Sequence, residues 1–172
     1  MDNAFGIESE GELPQIYLRP GEMVLAREPT ILITILGSCV AATFWSSRLR
    51  IGALCHAMLP RSPAAHSFDA DKEEVANARR YIDFCIRDLA RLFDSLGVPR
   101  KEVEVKLFGG ADVMDVSTDD LRPTVGRMNC EVAIETLREE QFELAASDLG
   151  KTFGRKIRFN TASGHVLLAR LS

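Results

Sequence analysis

The sequence predicts an α/β layered domain, a mixed sheet with helices packed on its faces. Three observations predict it. First, three apolar, β-branched runs follow one another between Ile31 and Met58, broken by Gly37-Ser38 and by Ser46-Ser47-Arg48-Leu49. Second, Lys72 to Leu96 repeats apolar residues at the three-and-four spacing of a helix: Val75, Ala78, Ile82, Cys85, Ile86, Leu89, Leu92, Phe93 and Leu96. Third, a strand, a helix and three further strands follow. At 172 residues the chain is long enough for one domain with a sizeable core.

Composition excludes several classes. Hydrophobic residues make up 46%, so the chain is globular rather than disordered. A net charge of −4 argues against a general nucleic-acid binder. No apolar run approaches the ~18–20 residues of a membrane span. The acidic opening, M-D-N-A-F-G-I-E-S-E-G-E, lacks the basic and apolar regions of a signal peptide, so the expected compartment is the cytoplasm. Cys39, Cys55, Cys85 and Cys130 form no C-x-x-C pair and read as reduced thiols.

In order, residues 1–14 read as a mobile tail rich in Gly and Glu, and 15–172 as the folded domain. Gln15 to Leu18 and Glu22 to Ala26 read as short edge strands around the Pro20-Gly21 turn, a scaffold element. Ile31 to Leu36, Val40 to Trp45 and Ile51 to Met58 are the three central strands, the last two forming an antiparallel hairpin. Residues 61–71 form a polar loop placed to act as a lid or to contact a partner, with His66 in it. Lys72 to Leu96 is one long helix, capped by Asp69 or Asp71 and ended by Gly97 and Pro99. Glu102 to Phe108 alternates as a strand and runs into Gly109-Gly110, a pair that lets another backbone or a substrate approach closely. Cys130 to Glu140 is a helix with Val132, Ile134 and Leu137 inward. Phe142 to Ala146, Arg155 to Asn160 and Val166 to Leu171 are the last strands, with a loop from Asp148 to Gly154 and His165 in a terminal turn.

The hairpin carries the chemistry. A loop of residues 46–49 pairs Trp45 with Arg50 and sets Cys39 opposite His56, with Cβ atoms roughly 4.5–5.5 Å apart. A thiol beside an imidazole suits acyl transfer. The thiolate attacks, and the imidazole moves the proton to a leaving amine. Backbone N–H groups at Gly37 and Ser38 suit a developing oxyanion. Cys55, next to His56, points to the opposite face as an apolar filler. Because those neighbours diverge, Cys39, Cys55 and His56 do not assemble a structural zinc site. The absence of G-x-G-x-x-G and G-K-[ST] leaves no nucleotide signature.

L-G-S-C-V at 36–40 followed by H-A-M-L-P at 56–60 resembles the CheD family of chemoreceptor glutamine deamidases. Tyr17-Leu18-Arg19-Pro20-Gly21-Glu22, Arg80-Tyr81-Ile82-Asp83, Phe108-Gly109-Gly110-Ala111, Gly154-Arg155-Lys156-Ile157 and Ser163-Gly164-His165-Val166 extend the resemblance over most of the chain. Thr124 to Asn129 matches a segment that usually reads glycine, any residue, arginine, asparagine; here Met128 takes the arginine's place and Arg127 precedes it.

The resemblance implies a three-layer α/β/α sandwich with a mixed, largely antiparallel sheet. It implies Cys39 as nucleophile, His56 as its base and Thr34 as a third member orienting the histidine or the substrate amide. It places Gly109 and Gly110 near the cleft. The reaction it implies converts receptor glutamines to glutamate through a thioester, with no cofactor and no metal. Implied partners are the cytoplasmic domains of methyl-accepting chemoreceptors and a CheC-type phosphatase. A non-catalytic adaptor regulating such a phosphatase is the alternative, and a cysteine peptidase is a third reading that differs only in which amide enters the cleft.

Overall fold

The computed structural model describes residues 13–63, 67–112 and 122–171. The expected tail falls almost wholly outside these residues, as does His66. The elements run β1 (Gln15–Tyr17), β2 (Met23–Ala26), β3 (Ile31–Leu36), β4 (Val40–Ser46), β5 (Ile51–Ala57), α1 (Lys72–Ala78), α2 (Ile82–Ser95), β6 (Val103–Gly109), α3 (Val125–Glu139), β7 (Leu144–Leu149), β8 (Gly154–Asn160) and β9 (Val166–Leu171).

The strands divide into two sheets rather than the single sheet expected. One has the order β1-β3-β8-β9 and the other β2-β5-β4-β6-β7. β1–β3 and β6–β7 pair parallel and the other pairs are antiparallel. Helices α2 and α3 pack on one face of the five-stranded sheet, around Phe44, Leu89, Phe93, Val105, Leu107 and Phe142. Phe44 meets Phe142 edge-on at 4.9 Å between centroids. The other face of that sheet meets the four-stranded sheet through Leu32, Leu36, Leu54, Phe108, Ile157 and Phe159. The layers are therefore sheet, sheet and helices, in place of the expected α/β/α sandwich. Coverage on both faces explains why β4 and β5 read as unbroken apolar runs without alternation.

The hairpin register differs from the expected one. β4 and β5 pair from Val40↔Ala57 to Ser46↔Ile51, so Ala41, not Cys39, lies opposite His56. The connection is residues 47–50, with Arg50 in the left-handed region at φ 52°. A two-residue shift conserves the face on which a side chain lies. Cys39, one residue ahead of β4, thus keeps to the His56 side.

The long helix is broken into α1 and α2. Arg80 and Tyr81 leave the helix to meet the exit of β5: the N–H groups of Met58 and Leu59 donate to the Arg80 carbonyl at 2.8 and 2.9 Å, and Ile82 N–H donates to the Leu59 carbonyl at 2.9 Å. Asp71 is the cap of α1, accepting from Glu73 and Glu74. Helix α3 starts at Val125, earlier than expected, because Thr124 caps it by accepting from Arg127 N–H at 3.2 Å. Its buried residues are Gly126, Asn129, Ala133, Thr136 and Leu137 and Val132 packs against the core, while Ile134 is exposed. Strand β7 begins at Leu144 and includes Asp148 and Leu149, which were expected in a loop; Phe142 joins the aromatic core instead.

Candidate active site between the two sheets

His56 lies on β5 with its side chain in the layer between the sheets, 2% exposed. Its partner comes from the other sheet. Thr34 Oγ1 on β3 lies 2.7 Å from His56 Nδ1. The same hydroxyl donates to the Leu18 carbonyl at 2.9 Å. A hydroxyl has one hydrogen, and a carbonyl only accepts. The hydrogen is therefore committed to Leu18, and Nδ1–H of the ring is the donor to Thr34. That fixes the tautomer and leaves Nε2 with its lone pair. Nε2 is buried and has no hydrogen-bond partner among the described residues.

The opening segment, read from sequence as scaffold, supports this arrangement. Leu18 N–H donates to the Ile33 carbonyl at 2.8 Å, which sets its own carbonyl toward Thr34. Gly21 N–H donates to the His56 carbonyl at 2.7 Å, and His56 N–H donates to the Glu22 carbonyl at 2.9 Å. The Glu22 carboxylate in turn accepts from Arg19 N–H at 2.7 Å.

Cys39 packs half-buried against the apolar cluster between the sheets. Its turn is held by its carbonyls. The Gly37 carbonyl accepts from Ala111 N–H at 2.9 Å and the Cys39 carbonyl from Gly110 N–H at 2.7 Å. The Ser38 carbonyl accepts from Asn129 Nδ2 at 2.9 Å. Among the described residues the N–H groups of Ser38 and Cys39 carry no backbone partner, and that of Cys39 lies toward its own sulfur.

Gly109 and Gly110 do enter the site, but as a clamp on the cysteine turn. A Cβ at Gly109, which sits at φ 107°, would lie 2.2 Å from the Cys39 carbonyl oxygen. A Cβ at Gly110 would lie 2.1 Å from Cys130 Sγ. Only glycine permits this approach.

Burial governs the charges. It pushes the Cys39 thiol above its ordinary value, with the thiol's own backbone N–H pulling the other way. It pushes His56 down to about 4, against the opposing pull of Glu22. At neutral pH these groups therefore rest as thiol and neutral imidazole.

The structure joins Thr34 to His56 and packs Gly109 and Gly110 on the Gly37-Ser38-Cys39 turn, and among the described residues it gives no hydrogen bond between Cys39 and His56. Asn129 is the residue that sequence reasoning left without a role. Its signal was a polar side chain on the inward face of α3. Arg127, by contrast, points to solvent and pairs with Glu131 at 2.9 Å, and Met128 is half-buried. His165 is exposed.

A half-buried thiol, an imidazole with a ring nitrogen unpaired among the described residues and the hydroxyl bonded to it lie on an α/β scaffold as a candidate site. The chain belongs to the CheD family: residues 58–170 match the family model described as CheD chemotactic sensory transduction. It is 40% identical over 161 residues to the probable chemoreceptor glutamine deamidase CheD 2 of Geobacter sulfurreducens, covering 94% of this chain and 92% of that protein. It is 34% identical over 168 residues to the probable chemoreceptor glutamine deamidase CheD of Maridesulfovibrio salexigens, covering 95% and 96% respectively. A third relative of the same printed name, from Sulfurimonas denitrificans, is 31% identical over 157 residues, covering 91% and 94%. Among the described residues no helix is long and apolar enough to cross a membrane.

Proposed function

We propose that this protein hydrolyses the side-chain amides of specific glutamines in chemoreceptor cytoplasmic domains. The observation that carries the reading is the Thr34–His56 hydrogen bond, which leaves Nε2 free as a base in the layer where Cys39 packs. The names of the relatives supply the substrate class.

In this mechanism Cys39 is the nucleophile and His56 the base. As the sulfur attacks the amide carbon, Nε2 takes the thiol proton, so no resting thiolate is required. The oxyanion of the tetrahedral intermediate accepts from the backbone N–H groups at the Gly37–Cys39 turn. The imidazolium then protonates the departing ammonia, leaving a thioester. Water attacks the thioester with its proton drawn to Nε2, and collapse releases glutamate and the thiol. Thr34 holds the ring in the tautomer this sequence of steps needs. The chemistry uses thiol, imidazole and water, without cofactor or metal, and fits a cytoplasmic location facing receptor helix bundles. Conversion of a neutral residue to an anion alters the electrostatics between those helices. A CheC-type phosphatase is a further partner in this reading.

The test is incubation of the full chain with the cytoplasmic part of a chemoreceptor, followed by peptide mass spectrometry beside Cys39→Ala. Conversion of particular glutamines to glutamate by the parent and not by the variant supports the reading. Absence of conversion with an intact receptor moves the assignment to the adaptor, and backbone cleavage moves it to a peptidase.

A further inference from the structure

We propose that Asn129 on α3 is a positioning residue for the Cys39–His56 pair, acting as a tie between the nucleophile's turn and the end of the strand that carries the base. This rests on the reading of Cys39 and His56 given above. Asn129 is fully buried on a helix face otherwise made of Ala133, Thr136 and Leu137. Its two amide hydrogens go to two different segments. One meets the Ser38 carbonyl at 2.9 Å, next to Cys39, and the other meets the Met58 carbonyl at 3.1 Å, two residues beyond His56. Both donors are thus spent on the two segments whose separation sets the distance from sulfur to imidazole.

Its other polar atom makes no bond among the described residues, so the side chain's polar role lies in its two donors. Asn129 Oδ1 is buried and has no partner among the described residues. A buried acceptor left unpaired is costly, and the two bonds from Nδ2 to the Ser38 and Met58 carbonyls are what offset that cost. The tie also closes a ring of restraints. The neighbouring carbonyls of Gly37 and Cys39 are held by Ala111 and Gly110 from the end of β6. Asn129 links the middle carbonyl of the turn to Met58, one residue past β5. Helix α3 can deliver it because Gly126 packs its first turn directly on Gly110 and Ala111, where a Cβ would lie 2.6 Å from the Ala111 carbonyl oxygen.

The role predicts a particular kinetic signature. The bonds of Asn129 go to backbone carbonyls rather than to the sulfur or the imidazole, so its loss misplaces the reacting groups without removing them. A displacement of that kind costs up to about a hundredfold in turnover. Substrate binding, which uses the receptor surface, is left nearly intact.

The test compares Asn129→Ala and the near-isosteric Asn129→Asp with Leu137→Ala, a core variant two turns along the same helix. Each is first shown to be folded by circular dichroism and thermal midpoint. Two readouts follow: kcat and KM for receptor deamidation, and the pH profile of Cys39 alkylation by a small neutral reagent, which needs no receptor. The expected result is a kcat loss of about thirtyfold or more with KM within about threefold for both Asn129 variants. Their alkylation profile moves away from that of the parent, while Leu137→Ala keeps the parent profile. Parent-like kcat and alkylation in a folded Asn129 variant overturn the proposal. So does an equal kcat loss in Leu137→Ala, because the effect is then one of general stability. If the parent itself converts no glutamine, the deamidase reading fails, and the alkylation profiles still decide the tie.

Discussion

Cys55 and His56 are neighbours on β5 and occupy opposite sides of the same sheet. Cys55 faces the helices. It is fully buried beside Cys85, whose thiol is held well above its ordinary value by its hydrogen bond with Cys55 and then by burial. Cys85 Sγ also donates to the Arg79 carbonyl at 3.1 Å. These thiols are packing groups, enclosed in the core beneath the helices. His56 faces the second sheet, where Thr34 takes one ring nitrogen and the other stays unpaired. Cys39 reaches that layer from its edge and keeps partial exposure. In the proposed mechanism the sheet thus has an inert thiol face and a reactive one, separated by the thickness of a single strand. Reactivity here is decided by which layer a side chain enters, and only secondarily by residue type.

The largest effect that would break the comparison is activity. Cys39→Ala lowers receptor deamidation by at least about a thousandfold, as expected when a covalent nucleophile is lost. Cys55→Ala leaves kcat within about twofold and lowers unfolding free energy by about 1 kcal/mol through the small void it creates. Deamidation rates and urea unfolding of the two variants, measured side by side, check this. Equal loss of activity in both would erase the distinction between the faces.

A second effect concerns the cost of keeping His56 neutral. Its folded value is about 4 against an ordinary 6.5. Between those values the unfolded chain binds the proton and the native chain does not, so this group destabilises the fold as pH falls through the window. Above about pH 6.5 the contribution is flat. The full effect amounts to roughly 3 kcal/mol. Replacing His56 by Gln removes it: the stability difference between about pH 7 and about pH 4.5, read from urea unfolding, is smaller in the variant than in the parent. An unchanged difference would mean that His56 titrates normally in the fold.

The smallest effect sharpens the role of Thr34. Thr34→Val keeps the shape and removes the acceptor for Nδ1–H, so the ring loses its fixed tautomer. Turnover falls by about tenfold, near 1.4 kcal/mol, while Thr34→Ser retains the hydroxyl and stays within about threefold of the parent. Steady-state rates of the two variants with receptor substrate separate orientation by the hydroxyl from packing by the methyl group. Equal rates in the two would assign Thr34 to the sheet alone.

The strands from Ile31 to Ala57 were legible because strands covered on both faces give unbroken apolar runs, and the strand at Val103 was legible because Glu102 to Phe108 alternates. The expected pairing of Cys39 with His56 was two residues out of register, since Ala41 lies opposite His56; a two-residue error conserves the face, so the side on which Cys39 lies was legible while its partner was not. The Thr34–His56 bond was not readable from composition or periodicity. It joins two different sheets, and nothing in the alternation of either strand states which sheet it enters. Nor did the pattern reveal that the strands form two sheets, since burial by a helix and burial by a sheet demand the same apolar residues. The break at Arg80–Tyr81 was hidden because it is made by backbone bonds to Met58 and Leu59, which carry no side-chain signature. Asn129 was visible as a residue and silent as a function, since its meaning lies in two carbonyls far away along the chain. Sequence by itself determined the runs, the hairpin and the reactive residue types, all set by local periodicity and turn chemistry. Tertiary structure alone decided the layer order, the imidazole tautomer and the neutral resting state of the pair, because each depends on which distant groups share a buried space.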